Sequence, residues 1–323
     1  MRNVINTHLP IFAMIYNSAM RKLLFIFSVC FLLNNCNDGD IITVELEFDD
    51  TFKECEVNES VVFYKTKSDP SESLSLKLNT TIDNLIELDA TNQLVNPDQT
   101  FTINGSSNTF NYRTYASALP SSYFCEAVTP NVIITSDSES TTGSVSITTV
   151  LTEDDNDGIP AEFEDINGNG VLDDDDSDND GLPNYLDDDD DGDNVKTSTE
   201  KPNYSESNGL TNALDTDLDG IPNYLDDDDD NDGVLTRDEE NESTDQNPTN
   251  DITDNLIGPD YLNDQITNAV PATAFRVHTI KQTYTITVEI FDFSFTNLTQ
   301  DELDFGTLSP KPTTDRTVTP DFN

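Results

Sequence analysis

Apolar and polar residues alternate along two stretches of this chain, and between them the alternation stops. The runs Ile41–Phe48 (IITVELEF), Val61–Tyr64 (VVFY), Leu74–Leu78 (LSLKL), Asn131–Thr135 (NVIIT) and Ser144–Thr148 (SVSIT) alternate or are β-branched, and clusters of Asn, Asp, Ser, Gly and Pro separate them. Period two between turn residues predicts strands, and several short strands at this spacing predict a β-sandwich-like domain over 37–150. No 3.6-residue periodicity competes with that reading. The pattern returns over about 266–308, where Thr283–Phe291 (TYTITVEIF) and Phe293–Phe295 read as strands, within a C-terminal segment 266–323. So short a segment is a poor independent core. Its strands are expected either to complete the N-terminal sandwich, or to form a small cap or pair with a partner. The fold class is mainly β.

Behind the basic Arg21 and Lys22 lies a largely apolar run of eleven residues, Leu23–Leu33, interrupted by Ser28 alone. That is the length of a secretory core and falls short of the roughly 20 residues of a membrane span. The run leads to Cys36 and then to the polar Asn37–Asp40. The segment resembles the signal of lipoproteins from Bacteroidetes-type bacteria, with a relaxed lipobox. The resemblance implies an upstream extension over 1–19, a signal over 20–36 and a lipid on Cys36. That lipid would anchor the chain in the outer membrane of a Gram-negative bacterium, with the cell surface as the expected face. An ordinary secretory signal cleaved nearby, or an uncleaved anchor, is the alternative. Cys30 leaves with the signal, so Cys55 and Cys125 remain in an oxidising compartment, either as a disulfide or as two isolated thiols.

Charge changes the picture most between the two β stretches. The chain carries 64 acidic and 15 basic residues, net −49, and residues 151–250 alone hold 35 acidic against 3 basic, net −32. Such a surface repels nucleic acid and anionic lipid headgroups and attracts cations. His278 is the sole histidine after the signal, which leaves little for a catalytic triad or a His-rich metal site.

The acidic stretch repeats. Asp176–Asp187 (DSDNDGLPNYLD) recurs 39 residues later as Asp215–Asp226 (DTDLDGIPNYLD). Each is followed by an Asp run leading to Glu200 or Glu239, and a later echo, Gly258–Asn263, has Leu256 where a ligand Asp would fall. Carboxylates at positions 1, 3 and 5 of a tight loop converge on one point, Gly at 6 allows the turn, and an acidic residue at 12 closes the shell. That is the hard-oxygen set Ca²⁺ takes. Six stretches fit. They are Asp165, Asn167, Asn169, Asp173 and Asp176; Asp176, Asp178, Asp180 and Asp187; Asp189, Asp191, Asp193 and Glu200; Asp215, Asp217, Asp219 and Asp226; Asp228, Asp230, Asp232 and Glu239; and, least well, Glu153, Asp155 and Asp157 with Glu164. Magnesium demands stricter octahedral geometry, and zinc wants His or Cys, which this stretch lacks. Pro183 and Pro222, with Asp runs where entering helices should be, exclude EF-hands.

The residues D-x-D-x-D-G-[IL]-P-N-Y-L-D-x-D-D-D resemble thrombospondin type 3 repeats, placed here over 151–265. The resemblance implies a chain wrapped around a file of calcium ions with little secondary structure, its ligands being the loop residues named above. Without metal the stretch should be unfolded, since like charges repel and little apolar surface offsets chain entropy. The expected protein is a non-enzymatic, calcium-binding surface lipoprotein, its acidic module a calcium-stiffened spacer presenting β-domains to an unknown protein or glycan for adhesion or binding. A calcium buffer is one alternative. An enzyme using carboxylates such as Glu45, Glu47, Asp89 or Asp137 is another, although no motif pairs them.

Overall fold

The computed structural model describes residues 46–241, 245–296 and 298–322. Cys36, the apolar run before it, Glu45 and all but the end of Ile41–Phe48 lie outside the described residues. The account below concerns the unit Phe48–Asn323.

Ten strands form one open, mixed sheet. They are β1 (Thr51–Val57), β2 (Ser60–Ser68), β3 (Ser71–Leu78), β4 (Asp98–Thr102), β5 (Thr109–Tyr115), β6 (Ile134–Ser140), β7 (Ser144–Asp154), β8 (His278–Phe295), β9 (Leu298–Leu308) and β10 (Thr313–Val318), with one helical turn, α1 (Ile82–Leu85), after β3. The order is β4-β7-β8-β9-β1-β2-β3-β5-β6, with β10 paired to β8. The expectation of a mainly β chain is met, but the sheet is continuous where a sandwich of two separate sheets was expected. β1 is the joint. It pairs antiparallel with β2 and parallel with β9, through Thr51↔Thr307 and Phe52↔Leu308. Gly306 (φ 89°) makes that approach possible, because a Cβ there would collide with the Asp50 carbonyl.

The two arms of the sheet close on one aromatic core. The Phe110 ring on β5 lies 5.1 Å from both Phe293 and Phe295 on β8 and 6.2 Å from Phe305 on β9. Phe52 packs on Phe63 and Phe305 at 4.8 and 5.3 Å. Each such ring, fully buried, contributes about 1.5–3 kcal/mol by removal from water. β8 is the spine. Its even residues Ile280 to Ile290 point inward, and then Phe293 and Phe295 take over. Asp292, at φ 52°, inserts the extra outward residue that changes the parity.

β7 and β8 pair antiparallel up to Asp154↔Lys281. Residues 155–277 therefore leave from the end of β7 and return to the start of β8. The acidic stretch is an excursion from a single sheet, with β-strands from both sides of it in that sheet, and not a rod joined end to end between separate domains.

Candidate metal centre

Within the excursion the chain makes few regular elements, because Asp, Asn and Gly turns satisfy its backbone instead. Short 3-10 turns recur at Ala161–Phe163, Asn184–Leu186, Asn223–Leu225 and Asp260–Leu262, each preceded by Pro, whose fixed φ suits the residue before a turn. Asn184 and Asn223 are buried, and their side chains accept the N–H of Ser177 and Thr216, both at 2.9 Å. Asp260 takes the N–H of Thr253 in the same way at 2.6 Å. The last copy thus keeps the turn while Ile252 and Leu256 stand where loop carboxylates were.

Each acidic loop fixes its carboxylates by backbone donors. The residue at position 1 accepts from the N–H five residues on: Gly170 to Asp165 at 2.7 Å, Gly181 to Asp176 at 3.1 Å, Gly220 to Asp215 at 3.2 Å, Gly233 to Asp228 at 3.1 Å. In the 189 loop Asn194 fills the Gly position and its N–H donates to Asp189 at 2.9 Å. Position 5 accepts from the residue two on, as in Leu182 to Asp180 and Val234 to Asp232, both at 2.8 Å. Position 3 does likewise, as in Asp180 to Asp178 at 3.0 Å and Asp232 to Asp230 at 3.1 Å.

These bonds hold one oxygen of carboxylates such as Asp155, Asp157, Asp178, Asp180 and Asp193 and leave the other without a partner among the described residues, while in Glu164, Asp190, Asp191, Glu200 and Glu239 neither oxygen has one. Such buried oxygens belong to Asp155, Asp157 and Glu164; to Asp176, Asp178, Asp180 and Asp187; to Asp190, Asp191, Asp193 and Glu200; and to Asp228, Asp230, Asp232 and Glu239. They converge. Ligand atoms lie within 4.8 Å of one another in Asp176–Asp178–Asp180 and in Asp189–Asp191–Asp193, as the loop formula expects. Two further groups cross repeats: Asp155, Glu164 and Asp190, and Asp193, Glu200 and Asp229.

Asp190 and Asp229 were not foreseen, because position 2 of a calcium loop is ordinarily not a ligand. They stand 39 residues apart, and each N–H is held by a threonine hydroxyl seven residues on, Asp190 by Thr197 at 3.1 Å and Asp229 by Thr236 at 3.2 Å. The 39-residue period, applied to every position, was the signal that could have found them.

Two predicted loops look different. Asn167, Asn169 and Asp173 are exposed, and Asp173 accepts from the Tyr185 hydroxyl at 2.9 Å. There Asp175 is the buried carboxylate, taking the Asn167 side-chain amide at 3.0 Å. Asp215, Asp217 and Asp226 are half-buried and Asp219 is exposed. Glu153 turns to the sheet, where Arg316 donates to it at 2.7 Å. Of the carboxylates weighed for catalysis, Asp137 pairs with Arg113 at 3.0 Å, and Asp89 accepts from Thr91 and Gln93 within its own turn. Cys55 and Cys125 are bonded, with Cα atoms 5.1 Å apart.

The electrostatics of the buried groups are severe. Loss of hydration, and after it the neighbouring carboxylates, push Asp155 up to about 10 and Glu164 up to about 9. The same causes push Glu239 up to about 9 and hold Asp190, Asp191, Asp193 and Glu200 well above the carboxylate range. A carboxylate in this position either takes a proton or is matched by a cation. The donor set of clustered hard oxygens fits a divalent cation of the calcium type.

A family model described as BamM C-terminal matches residues 154–214, a little under a fifth of the chain. No curated protein and no solved structure matches. The resemblance to thrombospondin type 3 repeats is corrected by this match, which likens residues 154–214 of the acidic stretch to a different family. The loop formula misled for a physical reason: it specifies local turns around converging carboxylates, which unrelated chains can share. The BamM C-terminal family is one of outer-membrane lipoproteins of Gram-negative bacteria. The location of the chain is accordingly the outer membrane of a Gram-negative bacterium, as the signal and Cys36 imply.

Proposed function

We propose that the chain is a non-enzymatic, calcium-binding lipoprotein at the bacterial surface, in which cations fold the acidic module and the sheet offers the surface for a protein or glycan partner. The observation that carries this reading is the set of clustered, buried carboxylate oxygens left without hydrogen-bond partners among the described residues. A net charge of −32 in residues 151–250 opposes compaction, and every divalent ion removes two charges from that repulsion. Ca²⁺ takes six to eight oxygens in flexible geometry, which suits loops differing in detail, whereas Mg²⁺ demands a strict octahedron. Because the sites exist only when the module is folded, ion binding and folding are one free energy. Millimolar calcium outside the cell suffices even for weak sites. The likeness to BamM C-terminal supports association with other proteins at the outer membrane, and adhesion is the role we assign to it.

The test is a titration of the mature chain without its lipid-bearing Cys36, residues 37–323, after chelation. Near-ultraviolet circular dichroism reads the tyrosines of the module, of which Tyr224 and Tyr261 are buried. A cooperative gain of signal with Ca²⁺, several bound ions by calorimetry and a weak response to Mg²⁺ are expected. An unchanged spectrum with no bound calcium overturns the proposal.

A further inference from the structure

His278, the first residue of β8, is 1 % exposed and far in sequence from the loops it meets. Its Nδ1 lies against Asp187 Oδ1 and 3.5 Å from Asp188 Oδ1. The three donor atoms lie within 4.8 Å of one another. Nδ1 is thus in ion-pair contact with Asp187, whereas Nε2 has no hydrogen-bond partner among the described residues, and Asp187 Oδ2 is equally without one. The second oxygen of Asp188 is held by Lys196, and Asp187 Oδ1 also accepts the N–H of Asp189 at 3.0 Å, so both carboxylates are fixed in place. A buried imidazole held against two anchored carboxylates, with Nε2 and Asp187 Oδ2 still unsatisfied, is a compact donor set for a cation.

That donor set differs from every loop site. The loops offer oxygen alone, which suits a hard ion; one imidazole nitrogen with two carboxylates suits a borderline divalent ion, for which nitrogen is the stronger ligand. We propose that Asp187, Asp188 and His278 form a site for a divalent transition ion of the zinc type, which Asp187 joins to the 176–187 loop by offering one oxygen to each. Such an ion clips the start of β8 to the core of the acidic module, across 91 residues of chain. The site was hidden from sequence reading because its nitrogen comes from outside the repeats.

His278 is the sole histidine of residues 37–323, so its imidazole is a single spectroscopic reporter. The experiment is ¹⁵N NMR of that ring in the calcium-saturated mature chain, with Zn²⁺ as the added probe. One equivalent of Zn²⁺ is expected to move one ring-nitrogen resonance to a metal-bound position. His278→Gln, a substitution of similar volume expected to retain the calcium-dependent tyrosine signal, is expected to bind Zn²⁺ at least about tenfold more weakly, since even outer partners of metal ligands cost that much. A ring spectrum unmoved by Zn²⁺, or equal affinity in the variant, overturns the site and leaves His278 as an ion-pair partner of Asp187. Failure of the calcium reading is distinct: it is read by the tyrosine signal without Zn²⁺.

Discussion

Asp190→Asn tests the inter-repeat sites, because the substitution keeps shape and removes one charge. Asp190 is 1 % exposed, and its backbone N–H bond to Thr197 does not involve the side chain. Its ligand atom lies within 4.8 Å of those of Asp155 and Glu164. Two like charges at that separation repel by about 3.5 kcal/mol at an effective dielectric constant of about 20. Protonation already relieves part of this, since burial pushes Asp155 up to about 10, Glu164 up to about 9 and Asp190 itself well above the carboxylate range. The metal-free variant therefore gains about 1–2 kcal/mol over wild type. With calcium the sign reverses, because the ion loses a charged ligand. A 10- to 100-fold weaker site costs about 1.4–2.7 kcal/mol. The assay follows the near-ultraviolet tyrosine signal of the mature chain in two titrations. In calcium, the midpoint concentration for folding rises in the variant. In chelator, the pH at which the signal is lost on alkalinisation rises by roughly one unit. Destabilisation under both conditions would refute the reasoning and make Asp190 a structural residue.

Other consequences are equally direct. In chelator, carboxyls such as Asp155 and Glu164 bind protons in the folded state that the unfolded chain has released above the ordinary values of 3.8 and 4.5. Stability of the metal-free module is then greatest near pH 4 and falls as pH rises toward 9–10, by about 1.4 kcal/mol per pH unit for each such group. With calcium the trend inverts, as protons compete with the ion, and denaturant midpoints across pH check both slopes. Thr197→Val removes the acceptor of a buried N–H and should cost about 1–3 kcal/mol in calcium, read by urea unfolding. Reduction of Cys55–Cys125, which spans 70 residues, should lower stability by about 4 kcal/mol, read by thermal unfolding with and without reductant.

What the sequence disclosed follows the strength of its local patterns. Val61–Tyr64, Leu74–Leu78, Ser144–Thr148 and Thr283–Phe291 lie in β2, β3, β7 and β8, where apolar residues mark the buried face. β1 (TFKECEV), β4 and β10 escaped because few apolar residues fill them; their pairing is set by neighbours already in the sheet. The segment 131–135 overlaps β6 only at its end, and that strand is largely exposed. In the acidic module the loop turns were legible residue by residue, since Asp, Asn and Gly spacing dictates them. Burial was not. Asp173 and Asp174 are exposed while Asp175 beside them is buried, and only packing of one repeat on the next decides this. Asp190, Asp229 and His278 join sites through the same long-range packing, which loop-by-loop reading does not contain.

Amide hydrogen exchange on the mature chain, with and without calcium, tests the central claim most directly. The N–H groups of Gly181, Leu182, Asn194, Gly233 and Val234 donate to the loop carboxylates, whereas those of Ile286 and Val288 lie within the β-sheet. The account predicts that the loop amides are protected only with calcium, while the strand amides are protected in both conditions. Loop amides equally protected in chelator at neutral pH, or unprotected in calcium, would contradict the claim that cations are the core of this module.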